Sequence, residues 1–270
     1  MRAALELAAL EAGARILSVA AAGHGVRIKP DHSPVTDADE QAEAIILTHL
    51  ATYFPDIPVV AEEEISAGCT PDCSAGRFFL VDALDGTKEF IAGKPDYTVN
   101  IALIEAGIPV GGVVYAPSYR RLYSGFAGLA EAITLDAAGE TVRREQIRTR
   151  PPETPLIAIA SRSHNSPETG SYLTGLGTDC FQSIGSSLKF CMLAEGDADV
   201  YPRFTRTMQW DTAAGDAVLR AAGGVTLELD GRPLLYGERH HGPDPGFANP
   251  YFVAWGRMPQ QFLRRQTAEA

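Results

Sequence analysis

The stretch FFLVDALDGTKEF, residues 78–90, decides how the chain is read. Its apolar run from Phe78 to Val81 has the pattern of a buried strand, and it runs into two aspartates, Asp82 and Asp85, set around Ala83 and Leu84. Aspartate is a poor strand former and is costly at a strand end unless something pairs with it. Hard divalent ions such as Mg²⁺ take carboxylate and carbonyl oxygens, so Asp82, Asp85 and the Leu84 carbonyl form a candidate cluster. Gly86 lets the chain turn sharply, which would place the amides of Gly86 and Thr87 at a helix N-terminus aimed at an anion. Taken alone, the DALDGT hexapeptide is also an ordinary Asp-Gly turn between strand and helix.

Neighbouring segments add acids at element ends. IPVVAEEE (57–64) reads as a buried strand closed by Glu62, Glu63 and Glu64, and SPVTDADEQAEAIILTHLATYFP (33–55) as turn chemistry followed by an amphipathic helix. Asp211 follows Trp210 at the start of a helical run, where it is either a capping or first-turn acid or a fourth member of the cluster. Residues 3–22 read as a helix stopped by Gly23 and Gly25.

Residues 97–105, 109–117 and 121–127 are β-rich runs separated by turn residues and predict an antiparallel meander that serves as scaffold. The polar, proline-bearing segment 136–155, with Arg143, Arg144, Arg148 and Arg150, is expected to join two halves, its arginines forming a solvated face. Beyond it, strands at 156–160, 180–184 and 198–202 alternate with helices near 167–176, 186–195 and 211–222, and 223–229 returns as strand. The expected organisation is one unit over 1–270, with an N-terminal α+β half over 1–135 and a C-terminal α/β half over 150–270.

With 270 residues, 45% hydrophobic and 21% charged, the chain has the composition of a globular protein with a large core. Acidic residues outnumber basic ones by 34 to 23, a net charge of −11, which argues against nucleic acid or an anionic membrane surface as a bulk partner. Four cysteines in so long a chain read as free thiols; a zinc site would need Cys180 and Cys191 to converge on Cys69 and Cys73. No apolar run has the length of a membrane span, and the N-terminus has no signal-peptide pattern, so the expected address is the cytoplasm, with peripheral attachment at the inner face of the membrane left open.

Six blocks in order, SPVTDAD (33–39), LVDALDGTKEF (80–90), YTVNIALIEAGIPVGGVVYAP (97–117), SRSH (161–164), GSSLKFCMLAEGDADVYPR (185–203) and WDTAAGDAVLRAAGG (210–224), resemble the Mg²⁺-dependent, lithium-sensitive phosphatases that include inositol monophosphatase and fructose-1,6-bisphosphatase. The resemblance spans nearly the whole chain. It is strongest to the bacterial 3′(2′),5′-bisphosphate nucleotidases, marked by Lys88, Glu89 and Phe90. It implies a five-layer α-β-α-β-α sandwich with the metal site between the halves, and a homodimer as a frequent assembly. It also implies that Glu62, Asp82, Asp85, Asp211 and the Leu84 carbonyl hold two or three Mg²⁺ ions, and that the Gly86 and Thr87 amides bind the scissile phosphate. The Thr87 hydroxyl would bond Asp39 and help activate a metal-bound water. The glutamate register is open by one residue, with Glu62 matching best, and Asp37 competes with Asp39. Ala83 stands where the family has proline and Ala61 where it has serine or glycine; neither supplies a ligand side chain.

The implied reaction is hydrolysis of the 3′-phosphate of 3′-phosphoadenosine 5′-phosphate to AMP, linked to sulfate assimilation. One ion at Glu62, Asp82 and the Leu84 carbonyl would activate water; another at Asp82, Asp85 and Asp211 would stabilise the departing alkoxide. A cysteine or serine nucleophile is not required, since Cys191 and Ser186 have no histidine beside them in sequence. Lys189 and Arg203 are either surface cations or the partners of the second phosphate. His164 is either a nucleotide contact or a loop histidine, and His240 and His241 read as solvated. An inositol or sugar-phosphate phosphatase would use the same acids without Lys189 and Arg203, and a non-catalytic phosphometabolite-binding protein would not need Thr87 and Asp39.

Overall fold

In the computed structural model, β4 (Arg77–Asp85) lies beside a parallel β3 (Val59–Ala61) and an antiparallel β5 (Thr98–Glu105), which explains its unbroken apolar run. Phe79 and Val81 enter a core shared with helices α1 (Arg2–Ala22) and α2 (Asp37–Tyr53), while Phe78 and Leu80 enter a second core on the opposite face. With both faces covered, alternation has no polar side to show. The described residues are 1–270 except 24, 30, 31, 153, 162–165, 179, 180, 239–245 and 260–270. The expectations for His164, Cys180, His240 and His241 fall outside them.

The expected meander runs through β5, β6 (Ile108–Ala116) and β7 (Arg121–Phe126), and continues through β8 (Leu129–Leu135) and β9 (Thr141–Gln146) to complete a seven-stranded sheet in the order β3 to β9. The reading of 136–155 as a bare junction is therefore corrected. Its middle is β9, an exposed edge strand, and edge strands tolerate charge on both faces, so TVRREQ carries no apolar alternation. Nor are its arginines all solvated: Arg144 pairs with Glu6 and Glu131, and Arg150 grips the buried Asp199 through two hydrogen bonds of 3.1 and 2.8 Å.

The second sheet has the order β11 (Phe181–Ile184), β10 (Ala158–Ser161), β12 (Val200–Arg203), β14 (Phe252–Trp255), β13 (Val225–Glu228). β10, β11 and β12 run parallel, connected through α5 (Pro167–Gly175) and α6 (Leu188–Glu195). β14, absent from the expected elements, inserts antiparallel between β12 and β13. Four residues behind a Gly/Pro-rich stretch carry too short a period to read.

α6 and α7 (Ala213–Ala221) fill the space between the sheets, sharing one core with Leu80, Ala102 and Val114 on one side and Tyr201, Phe252 and Ala254 on the other. Leu173 of α5 covers the outer face of the second sheet with Val200, Val253 and Trp255. The layers are thus α1 and α2, sheet, α6 and α7, sheet, α5, the expected five-layer sandwich. α7 rests on backbone: a Cβ on Gly125 of β7 would lie 2.5 Å from Val218 Cα. A short hairpin, β1 (Val26–Ile28) and β2 (Pro34–Thr36), precedes α2.

Candidate active site

Pairing between β4 and β5 sets where the acids emerge. Phe78 opposes Ile104, Leu80 opposes Ala102, and Asp82 opposes Asn100, so the same face that is apolar in the sheet ends in a polar pair. The register then shifts between Asp82 and Asp85, a bulge that turns Leu84 out of the ladder. Asp82 Oδ1 accepts the Leu84 N–H at 3.0 Å. Gly86 follows with φ +97°, and a Cβ there would lie 2.8 Å from the Asp96 carbonyl oxygen, so the turn into α4 (Thr87–Ile91) requires glycine. The Thr87 hydroxyl is placed 3.0 Å from Asp39 Oδ1 and 3.2 Å from the Leu84 carbonyl.

Asp39 reaches Thr87 because a capping box holds it. Its Oδ2 accepts the Thr36 N–H at 2.7 Å and the Thr36 hydroxyl at 2.6 Å, leaving Oδ1 for Thr87. Burial pushes the Asp39 carboxyl above its ordinary value, against these hydrogen bonds. Asp37 accepts the Gly25 N–H and sits near Arg27, away from Thr87.

Glu62, Glu63 and Glu64 do not close a strand, contrary to the sequence expectation. β3 stops at Ala61, and the glutamates open the short helix α3 (Glu62–Ser66). The cause is Glu43 of α2, whose carboxylate accepts the N–H groups of Glu63 and Glu64, both at 3.0 Å, and so satisfies the helix start. Buried Lys29 ties Glu62 and Glu63 together, with Nζ 2.7 Å from an oxygen of each. Burial pulls the Lys29 ammonium down, but the two glutamates more than offset it and the net displacement is upward.

Glu62, Asp82 and Asp211 each offer a carboxylate oxygen, and the three lie within 4.8 Å of one another. Asp85 stands outside that trio. Asp211 is fixed in the turn before α7, its Oδ2 accepting from the Thr207 hydroxyl at 2.7 Å and the Met208 N–H at 2.8 Å. Burial, then Asp85 and Glu62, push Asp211 up to about 7; burial, then Glu62, Asp85 and Asp211, hold Asp82 well above the carboxylate range. An all-oxygen set of acids that repel one another, Asp82 buried and Glu62 and Asp211 half-buried, fits a hard divalent cation.

These acids share one open cleft with Lys88, Lys189, Tyr201 and Arg203. Lys189 and Arg203 are both buried, and neither has an ion-pair partner among the described residues. Lys189 Nζ donates to the Ser186 carbonyl at 2.5 Å and stands 5.4 Å from the Tyr201 ring centroid. Burial lowers it to about 8, Asp85 opposing and Arg203 assisting. Arg203 donates from Nη2 to the Arg206 carbonyl at 3.0 Å, while its buried Nε has no partner.

Sequence reasoning missed Lys29, Glu43, Asn100, Ser187 and Thr207. β5, read only as scaffold, supplies Asn100, whose Nδ2 donates to the Ser187 hydroxyl at 3.0 Å and points to Asp85 Oδ2 at 3.5 Å. A signal existed there, one amide in an otherwise apolar run. For Lys29 and Glu43 none existed, since surface-like helix and hairpin positions carry such residues routinely.

No helix among the described residues is long and apolar enough to cross a membrane. Over 219 residues the chain is 48% identical to the 3′(2′),5′-bisphosphate nucleotidase CysQ of Escherichia coli strain K12, covering 81% of this chain and 86% of that protein. The crystal structure of CysQ from Bacteroides thetaiotaomicron matches with a TM-score of 0.76 and 36% identity, over 96% of this chain and 97% of that one. The Thermotoga maritima IMPase shares the fold, with a TM-score of 0.73 and 21% identity over 97% of this chain and 94% of its own. The profile of the inositol monophosphatase family matches residues 1–245, and the chain belongs to that family.

Proposed function

We propose that the chain is a Mg²⁺-dependent phosphoric monoester hydrolase, a 3′(2′),5′-bisphosphate nucleotidase that releases phosphate from the 3′ position of 3′-phosphoadenosine 5′-phosphate and leaves AMP. The observation that carries this reading is one cleft lined both by the acidic trio Glu62, Asp82 and Asp211 and by two buried cations, Lys189 and Arg203, that have no ion-pair partner among the described residues. A monophosphate on a neutral polyol has nothing further to offer these cations; a bisphosphate does. The nucleotidase named CysQ at 48% identity supports the same choice.

Glu62, Asp82 and Asp211, joined by Asp85 and the Leu84 carbonyl, would hold the Mg²⁺ ions. When bound, the cations neutralise phosphoryl oxygens and make water more acidic. The chain does the positioning. Thr87 gives its hydroxyl hydrogen to Asp39, so its oxygen lone pair is free to accept a hydrogen from the attacking water, and Asp39 is the end of that short relay. The Gly86 and Thr87 amides lie at the first turn of α4, where they have no acceptor within the helix, and they orient the scissile phosphate. The Arg203 guanidinium and Lys189 Nζ take the second phosphate.

Phosphate release at equal concentrations of 3′-phosphoadenosine 5′-phosphate, inositol 1-phosphate and fructose 1,6-bisphosphate, with Mg²⁺ and with EDTA, tests the reading. Preference for the nucleotide, abolished by EDTA, is expected. Preference for inositol 1-phosphate would overturn the substrate assignment, and EDTA-insensitive release would overturn the role of the acids.

A further inference from the structure

We propose that Asn100 and Ser187 form a strut that sets the spacing between two acids of the cleft, Asp85 at the end of β4 and Asp211 before α7, and that both are positioning residues for the reaction. The inference rests on the acidic cleft being the reaction site. Asn100 is fully buried on β5, between Val99 and Ile101, where an apolar side chain would meet no polar penalty. It nevertheless keeps an amide whose Oδ1 has no partner. The amide orientation is fixed by its donor side: Nδ2 donates to the Ser187 hydroxyl and faces Asp85. The flipped amide would set a carbonyl oxygen against a carboxylate.

Ser187 continues the connection. It is the residue before α6, itself buried, and because its hydroxyl oxygen is occupied as an acceptor by Asn100, its hydrogen goes to the Asp211 carbonyl oxygen. Its backbone N–H donates to Asp85. Asp85 is thus held from β5 and from the start of α6, and the backbone of Asp211 is held by the same serine. Two acids that repel each other, carried by different elements, have no direct bond between them; the strut supplies one through neutral groups.

The test uses the full chain and Mg²⁺ alone, read as the rise in melting temperature without substrate. Outer partners of metal ligands typically change affinity by 10–100-fold, so Asn100→Ala and Ser187→Ala should raise the half-saturating Mg²⁺ concentration about tenfold, and Ser187→Thr, which keeps the hydroxyl, should restore it. Arg150→Ala breaks the Arg150–Asp199 pair, which lines no part of the cleft; it should lower the melting temperature without moving the half-saturation point. An unchanged half-saturation point in the strut variants would overturn the proposal. So would an equal change in Arg150→Ala, which would mean general loosening. If Asn100→Ala does not fold, the contrast between Ser187→Ala and Ser187→Thr decides.

Discussion

Replacing Gly125 by alanine tests how tightly the central helices register the site. The new Cβ would stand 2.5 Å from Val218 Cα and 2.8 Å from the Ala217 carbonyl oxygen, both backbone atoms of α7. Carbon atoms at rest sit roughly 3.5–4.0 Å apart, so helix and sheet must separate by about 1 Å. The interior is packed at near-crystalline density and has no slack to absorb this. Overpacking of this kind costs about 1–3 kcal/mol, and backbone on both sides of the clash places Gly125→Ala at the upper end, about 3 kcal/mol. α7 also carries the turn that holds Asp211, and a displacement near 1 Å at a reacting geometry costs on the order of 10²-fold in rate. Urea unfolding of the metal-free protein and Mg²⁺-dependent phosphate release measure the two effects. Gly170→Ala on α5 is the control: a Cβ there meets nothing within 4 Å, and the helix should gain up to about 1 kcal/mol. Wild-type stability and activity in Gly125→Ala would refute the claim that α7 seats directly on the sheet backbone and registers Asp211.

Asp82→Asn should lose phosphate release while melting higher than wild type in EDTA, because asparagine removes the cost of burying an ionisable carboxyl beside Glu62, Asp85 and Asp211; a lower melting temperature would contradict the repulsion. Thr87→Ala should lose about 10²–10⁴-fold in turnover, and Thr87→Ser, which keeps the hydroxyl, should retain most of the wild-type rate, both measured at saturating Mg²⁺. Glu43, Glu63 and Asp211 are each raised to about 7, chiefly by burial, so the folded state binds more protons than the unfolded chain between about 4 and 7. Stability of the metal-free protein should therefore fall as pH rises through that window, and Mg²⁺ should flatten the dependence. A metal-free protein whose melting temperature climbs from pH 5 to pH 7 would contradict the sign.

Much of the architecture was legible because its signals are local. The apolar run into Asp82, the glycine at Gly86 and the capping sequence before α2 each specify their own conformation, and all three stand in the structure. The edge strand β9 was hidden because solvent on its flank removes the need for an apolar face, and β14 because four residues carry no period. The glutamates were read one element out of place: what makes Glu62 the start of α3 is Glu43, a side chain from another helix, and no spacing within 57–64 encodes it. Which acids meet was visible as a list of strand and helix ends, but what separates and orients them was not. Lys29, Asn100 and Ser187 act across elements, and of the three only Asn100, an amide in an apolar run, leaves a trace in the sequence.

Because Glu62 and Asp82 meet Asp211 only once the turn before α7 has reached the end of β4, the three-acid cluster forms only when parts of the chain far apart in sequence have met. Contacts of such long range form late, after the costly closure of the intervening loops. Mg²⁺ then has nothing to grip in a half-formed chain and cannot hasten assembly. On the proposed reading a bound Mg²⁺ would act as a latch, leaving the rate of refolding alone and slowing the rate of unfolding.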